Sequence, residues 1–197
     1  MTAFPTDSLK IAFTTGTRVA DIQDKYNHAD LIEATNEIID LVIGWVKDLP
    51  DSFVTLVPQD PDAHDSSAAT EKEVTMAWTL GHVIVHMTAS GEEATALASF
   101  LARGVMPEGR SRYETHWTTV LTIQQVLDRL EESRRIRLAY LNTWPDQPHL
   151  NLLMEAGEKH WGRRNAVGRV FSGLKHDYDH LGQLRDIIEQ AKMAGLE

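Results

Sequence analysis

Two pairs of histidines have a spacing that suits metal binding. His82 and His86 lie four residues apart in one segment with helical periodicity, and His176 and His180 are spaced in the same way in another. Side chains four residues apart lie on one face of a helix, about one turn apart, so both imidazoles can reach one ion. Neutral imidazole is a ligand for zinc, nickel, copper and iron. Each pair therefore predicts metal ligands, although pairs with this spacing also occur by chance on helix surfaces.

The predicted helix faces place these histidines beside apolar positions. A helical wheel puts His180 on the core-facing side of its helix and His176 at the edge of that face. His86 lies on the flank of the apolar stripe of its own helix, and His82 lies one turn back along the same edge. Imidazoles inside a helical bundle are costly unless a partner satisfies them. Spacing alone leaves open which histidine of the first pair faces the second pair.

Four amphipathic segments must position these side chains, because apolar residues recur in each with the three- and four-residue spacing of a helix. The predicted helices span residues about 28–49, 71–103, 123–142 and 165–193. Capping boxes at Thr70–Glu73 and Thr122–Gln125 and an N-cap at Asn165 predict three of the helix starts. Four long helices without an internal repeat predict an all-α fold, a four-helix bundle.

Two long connections join the predicted helices. Residues 105–121 contain Pro, Gly and clustered charges without periodicity, and we expect an ordered connection across one end of the bundle. Residues 146–164 fit either a short strand or a packed loop. Neither segment has the composition of an interdomain linker, so the sequence predicts a single domain over residues 1–197.

The composition argues against several classes of function. The chain has 197 residues, a formal charge of -10 and no cysteine, which fits a reducing compartment and excludes thiolate metal sites and cysteine nucleophiles. Net acidity without a basic stripe argues against nucleic acid, and no segment has the length and apolar character of a membrane span. Phosphate-binding loops, nucleophilic serine motifs and di-iron Glu-x-x-His pairs do not occur. We therefore expect a cytoplasmic protein with a small-molecule substrate.

Two segments resemble motifs of the DinB/YfiT-like family. The run from Trp78 to Met87 is similar to that family's W-[ST]-x-x-x-x-x-x-H-[LM] pattern, in which the histidine eight residues after the tryptophan is a metal ligand. His86 holds that position. The run from Lys175 to Leu184 resembles the family's closing H-x-x-x-H-x-G-Q-[LI] motif, whose two histidines complete the site. The order of the predicted helices also matches, so the resemblance covers nearly the whole chain.

The resemblance implies both an architecture and a metal site. It implies an up-down-down-up four-helix bundle, commonly a homodimer, with a divalent transition metal bound by His86, His176 and His180. We expect this metal to be zinc or nickel. The chain departs from the family where many relatives carry an acidic or histidine side chain about five residues after the first ligand, because it has Gly91 there, followed by Glu92.

Such a metal site predicts particular chemistry. Three imidazoles leave one position of a tetrahedral ion open to water or substrate, as in catalytic zinc sites. A metal in that position lowers the pKa of bound water or activates a thiol. Glu93, two helical turns after His86 on the same face, is the best-placed candidate for a general base or for a carboxylate that orients a ligand. Glu92, Asp177 and Asp179 are further candidates.

Two functions fit these expectations. The first is a metal-dependent enzyme, either a hydrolase or a thiol-dependent S-transferase, with a small-molecule substrate and a low-molecular-weight thiol as a candidate partner. The second is a non-catalytic, stress-related protein in which the metal is structural or sensory. An open coordination position with a pocket above it favours the first function, and a closed site favours the second.

Overall fold

The fold is all-helical in the part of the chain that the structure, a computed structural model, describes: residues 18–65, 71 and 73–196. Within these residues the only β contact is an isolated antiparallel bridge between Met154 and Arg164. The predicted all-α class is therefore confirmed. Among the described helices, none is both long enough and apolar enough to cross a membrane.

The described part of the chain contains four long α-helices and two short ones. In chain order they are α1 (His28–Val46), α2 (Ser52–Thr55), α3 (Leu80–Ala102), α4 (Ile123–Leu141), α5 (Glu158–Trp161) and α6 (Ala166–Met193). Short 3-10 turns lie at Val19–Asp21, Gln23–Lys25 and Trp117–Thr119. Helices α3 and α6 share the most extensive contact, and α1 and α4 pack against each other and along this pair. Helix α1 contacts α6, and α4 contacts α3, so the long helices enclose the main apolar core. A second, smaller apolar cluster includes Leu97, Leu101 and Met154.

Local capping signals place two of the helix starts as predicted. The side chain of Thr122 accepts from the backbone of Gln125, whose own side chain accepts from the backbone of Thr122, so the capping box before α4 is present. Asn165 caps α6, since its Oδ1 accepts from the amide of Gly168 at 3.0 Å. These caps satisfy backbone amides that have no partner inside the helix.

The predicted start of the second long helix, at residue 71, is wrong. The described residues between 71 and 79 form turns and extended backbone, and α3 begins at Leu80 with Thr79 as its N-cap. Thr70 of the predicted capping box lies outside the described residues. The helix begins at Leu80 because the Thr79 hydroxyl accepts a hydrogen bond from the amide of His82 at 3.2 Å. The non-helical backbone before it lets the Trp78 indole stack on the His82 ring, with centroids 4.4 Å apart.

Small residues bring α3 and α6 close together. A Cβ atom at Gly173 of α6 would lie 2.5 Å from the Cβ of Ala94 and 3.4 Å from the Cα of Gly91. A side chain at Gly173 is therefore incompatible with this separation of the two helices. The close approach matters for the site, because the histidines predicted as ligands lie on these two helices.

The two long connections are ordered segments that pack beside α3 and α6. The segment 146–164, for which strand and loop were both open, contains α5 and the bridge, in which Met154 and Arg164 exchange two backbone hydrogen bonds of 2.7 and 3.1 Å. Arg164 also donates from its guanidinium to Ser172 Oγ of α6 at 2.8 Å. This contact ties the end of the connection to the first two turns of α6.

A buried ion pair joins three of the long helices. The guanidinium of Arg137 on α4 binds the carboxylate of Asp177 on α6, and the two side chains are 2% and 1% exposed. Arg137 also donates to Ser133 Oγ at 3.0 Å and to the carbonyl oxygen of Met87 on α3 at 3.3 Å. A Cβ at Gly91 would lie 1.9 Å from the Arg137 guanidinium carbon. The chain therefore has glycine at this position because the arginine occupies the space of a side chain.

We predict that Gly91→Ala breaks this ion pair. Because the added methyl group displaces the Arg137 guanidinium and leaves the buried Asp177 without its partner, the free energy of unfolding should fall by about 3–5 kcal/mol, as measured by urea denaturation. Gly44→Ala on α1 is the matched control, since nothing lies within 4 Å of its added Cβ. That variant should be as stable as the wild type or slightly more stable, because alanine favours a helix over glycine. Equal stability of the two variants would contradict the prediction.

Candidate metal centre

Three histidines from two helices meet at one point of the structure. His86 of α3 and His176 and His180 of α6 each offer a ring nitrogen, and these three atoms lie within 4.8 Å of one another. The Nε2 atoms of His86 and His176 are 3.1 Å apart. The structure thus brings together the three residues that the sequence motifs select, and within the described residues no other group of His, Asp and Glu meets the same criterion.

The cluster fits a divalent transition metal. Two nitrogens bound to one tetrahedral zinc ion lie about 3.3 Å apart, given Zn–N distances of about 2.0–2.1 Å, and the His86–His176 separation of 3.1 Å is close to this value. Burial lowers the pKa of His176 to about 3 and lowers the pKa of His180 as well. Both rings are therefore neutral at pH 7, which is the form that binds metals.

Polar groups on the far sides of the rings orient two of the three histidines. Nδ1 of His180 lies 2.9 Å from Oε1 of Gln183, which accepts its proton and leaves Nε2 free to bind an ion. Nδ1 of His86 lies 3.2 Å from a guanidinium nitrogen of Arg112 and 3.7 Å from Oε1 of Glu114. Arg112 and Glu114 also bind each other, with Nε and Oε2 3.0 Å apart.

The His86 contacts define where its proton lies. A guanidinium can only donate, so His86 Nδ1 accepts from Arg112, and the ring proton of neutral His86 is on Nε2, facing His176. A metal ion held by His86 would be bound through Nε2, and this nitrogen would then carry no proton. Glu114 lies near Nδ1 of this ring; burial raises the pKa of Glu114, but His86 and Arg112 lower it to about 2.

His82 lies outside the cluster. Its ring is stacked between the indoles of Trp78 and Trp117, with centroid distances of 4.4 and 5.0 Å and interplanar angles of 20° and 6°. Burial lowers the pKa of His82 to about 4. Of the first histidine pair, it is therefore His86 that faces the second pair, while His82 forms part of an aromatic wall beside the site.

A large cavity opens beside the three histidines. Its volume is about 1200 Å³, and it extends along the groove between α3 and α6. His86, His176 and His180 all line it, together with Trp78 and Trp117. A metal ion on the three imidazoles therefore has space next to it for water and for a small molecule.

The four candidate carboxylates have different surroundings. Asp177 is buried in the ion pair with Arg137, Asp179 is an exposed partner of Lys175, and Glu92 binds Arg129. None of these three lines the cavity. Each of these three carboxylates therefore pairs with a basic side chain instead of facing the candidate ligands across the cavity.

Glu93, two turns after His86 on α3, is buried and lines the cavity. Its carboxylate accepts from the guanidinium of Arg110 at 3.0 and 3.2 Å and from the amide of Ser111 at 3.2 Å. Burial raises its pKa, but the bonds from Arg110 and the nearby charges lower it below the usual value. In the structure Glu93 is the counter-ion of Arg110. The role of Glu93 as a general base stays a prediction.

Sequence reasoning missed the groups that surround the ligands. Arg112, Glu114 and Trp117 lie in the connection before α4, where no periodicity indicates which side chains turn inward. Gln183 was identifiable, because it is the glutamine of the closing motif, and its contact with His180 gives that residue a physical role.

Comparison with known proteins assigns the family. The model of the DinB superfamily matches residues 34–184, which is well over half of the chain and includes the three histidines. The chain belongs to the DinB superfamily. No curated protein and no solved structure matches it.

We predict that metal binding depends on His86 and not on His82. Wild-type protein reconstituted with zinc or nickel should retain about one equivalent after gel filtration, as measured by elemental analysis. His86→Ala, His176→Ala and His180→Ala should each lose most of this metal. His82→Ala is the matched control and should retain it, since this ring stacks between two indoles. Equal losses in His82→Ala and His86→Ala would show a four-histidine site.

We also predict that the metal-free protein loses stability in mild acid. Histidines in the unfolded chain titrate near 6.5, whereas burial lowers the pKa of His82 to about 4 in the folded protein. The unfolded state then binds more protons, so this contribution to stability is complete above pH 6.5 and is lost as the pH falls towards 4. The free energy of unfolding of His82→Gln should fall less steeply over this range in urea titrations. His160→Gln, an exposed control, should follow the wild type; a His82→Gln slope as steep as that of the wild type would refute the prediction.

Proposed function

We propose that the protein is a metal-dependent enzyme that acts on a small molecule, as a hydrolase or a thiol-dependent S-transferase. One observation carries this proposal: the three imidazoles line a cavity of about 1200 Å³. A metal bound only for stability needs no such space, whereas a catalytic metal needs room for substrate at its open position. We propose zinc or nickel as the metal, and a low-molecular-weight thiol as one candidate substrate.

The side chains around the ligands have distinct roles in this proposal. When bound, the metal supplies a Lewis acid that lowers the pKa of water or of a thiol. Gln183 would hold the His180 ring in the orientation that turns Nε2 towards the ion, and Arg112 and Glu114 lie beside Nδ1 on the far side of the His86 ring. The indoles of Trp78 and Trp117 form an apolar wall that excludes water from one side of the site.

Further features of the protein are part of the same proposal. We propose the up-down-down-up order of the helices and a homodimer, both of which the family resemblance implies. We also propose a cytoplasmic location, which is supported by the lack of cysteine. The alternative function is a non-catalytic, stress-related protein in which the metal is structural or sensory. It is supported by the position of the ligands, because an ion held by α3 and α6 crosslinks the two helices.

We predict that the bound metal keeps an exchangeable ligand. Cobalt-substituted protein should change its visible spectrum when azide or a small thiol is added at millimolar concentration, because such ligands enter an open position and alter the field at the metal. Addition of chloride at the same ionic strength provides the control. The measurement is a spectrophotometric titration of the cobalt protein.

The alternative function predicts the opposite result. If a side chain fills the fourth position, the cobalt spectrum does not respond, and removal of the metal with a chelator mainly lowers the melting temperature. That pair of results would exclude the enzyme and support a structural or sensory metal.

A further inference from the structure

A second polar cluster lies in the same cavity, away from the histidines. Three arginines line this end: Arg110 from the connection after α3, Arg164 at the end of the next long connection, and Arg169 in the first turns of α6. Trp161 of α5 also lines it. We name this group of four residues the arginine end of the cavity.

Arg169 is a half-buried arginine that lacks an ion-pair partner. Within the part of the chain that the structure describes, no carboxylate lies within 4.0 Å of its guanidinium, and no hydrogen bond engages its side chain. The closest source of negative charge is Glu93, which already accepts two hydrogen bonds from Arg110. Burial lowers the pKa of Arg169, and Glu93 opposes this only in part. A half-buried arginine that lines a cavity without a carboxylate partner is available to bind an anion.

Arg164 adds a second positive charge beside Arg169. Its side chain is only 5% exposed, and its guanidinium bonds to Ser172 Oγ and to the carbonyl of Ala156, both of them neutral acceptors. Its Nε is buried and lacks a hydrogen-bond partner among the described residues. Burial, and then the charge of Arg169, lower its pKa to about 10. Two neighbouring guanidinium groups that repel each other in a cavity wall form a site with an excess of positive charge.

Arg169 and two of the three histidines lie on one stripe of α6. Arg169, Gly173, His176 and His180 follow each other at intervals of three or four residues and all line the cavity. Seven residues separate Arg169 from His176, which corresponds to about 10 Å along a helix axis. A molecule of a few bonds in length can therefore contact the arginine at one end and a metal ion at the other.

We propose that Arg164 and Arg169 form an oxyanion subsite of the cavity, which binds a carboxylate or phosphate group of the substrate. This inference rests on the proposed function, and it narrows the substrate class to small anionic molecules. The reacting group of such a molecule lies about two helical turns from its anionic group, so that it reaches the three histidines. Gly173, where a side chain would project towards Ala94, keeps the groove between the two positions narrow. Arg169 is the residue of the pair that is free to bind the anion directly, while Arg164 contributes charge from the wall.

The test uses full-length protein stripped of metal, so that an anion cannot bind to the ion. Inorganic phosphate and glutarate are titrated separately into the protein at low ionic strength, and binding is followed by isothermal titration calorimetry. We expect saturable binding of at least one of the two anions, and the tighter of the two identifies the headgroup. Arg169→Gln should weaken this binding by about tenfold or more, because it removes a charge-assisted hydrogen bond.

Matched variants separate a subsite from a general charge effect. Arg185→Gln removes the same charge from an exposed position of the same helix that does not line the cavity, so its affinity should stay within twofold of the wild type. Arg169→Lys keeps the charge and should retain more affinity than Arg169→Gln; it also replaces that variant if the glutamine protein does not fold. Lack of saturable binding to the wild type, or equal weakening in Arg169→Gln and Arg185→Gln, would overturn the proposal.

Failure of the subsite can be distinguished from failure of the proposed function. The anion titration uses metal-free protein. Its result therefore stands even if the spectrum of the cobalt protein does not change when ligands are added. Conversely, Arg169→Gln should still retain about one equivalent of zinc or nickel, since residue 169 lies about two turns along α6 from His176. Loss of that metal in Arg169→Gln would mean that the variant damages the fold. The anion titration of Arg169→Lys would then replace that of Arg169→Gln.

Discussion

The buried ion pair between Arg137 and Asp177 is the interaction on which the geometry of the three histidines depends. Charges in a core are stable only while both partners and their hydrogen bonds are in place, so the pair fixes the helices that supply it. Arg137 also donates to the carbonyl of Met87, and Met87 and Asp177 directly follow His86 and His176 in sequence. The contact that joins α3, α4 and α6 therefore constrains the distance between the candidate ligands on α3 and α6.

Burial also sets the charge of two of the candidate ligands. Desolvation lowers the pKa of His176 to about 3, and it lowers the pKa of His180 as well. An imidazole that is neutral at pH 7 does not have to lose a proton before it binds a cation. The Trp78 indole stacks on the His180 ring, with centroids 5.9 Å apart, so it helps to exclude water from this imidazole as well as packing beside it.

The sequence predicted those parts of the site that local patterns encode. Histidine spacing and the two motifs selected the three histidines that meet in the structure, and the caps at Thr122 and Asn165 predicted two helix starts, because these signals act over a few residues. The predicted start of α3 was wrong. The sequence has two candidate caps before this helix, Thr70 and Thr79, and the stacking of Trp78 on His82 accompanies the start at Thr79. The side chains that surround the ligands were not predictable, because residues such as Arg112 and Arg169 face the cavity only through contacts between distant segments.

Net charge and local charge lead to different conclusions for this chain. The formal charge of -10 argues against a polyanionic partner, whose binding depends on many basic groups at the protein surface. The same number says nothing about a single cavity, where low-dielectric walls make a few charges dominate the local field. At the arginine end of the cavity, Arg110 has Glu93 as its counter-ion, whereas Arg164 and Arg169 have no counter-ion among the described residues. An acidic protein can therefore bind a small anion, because the surface acids are screened by water and salt while the cavity arginines are not.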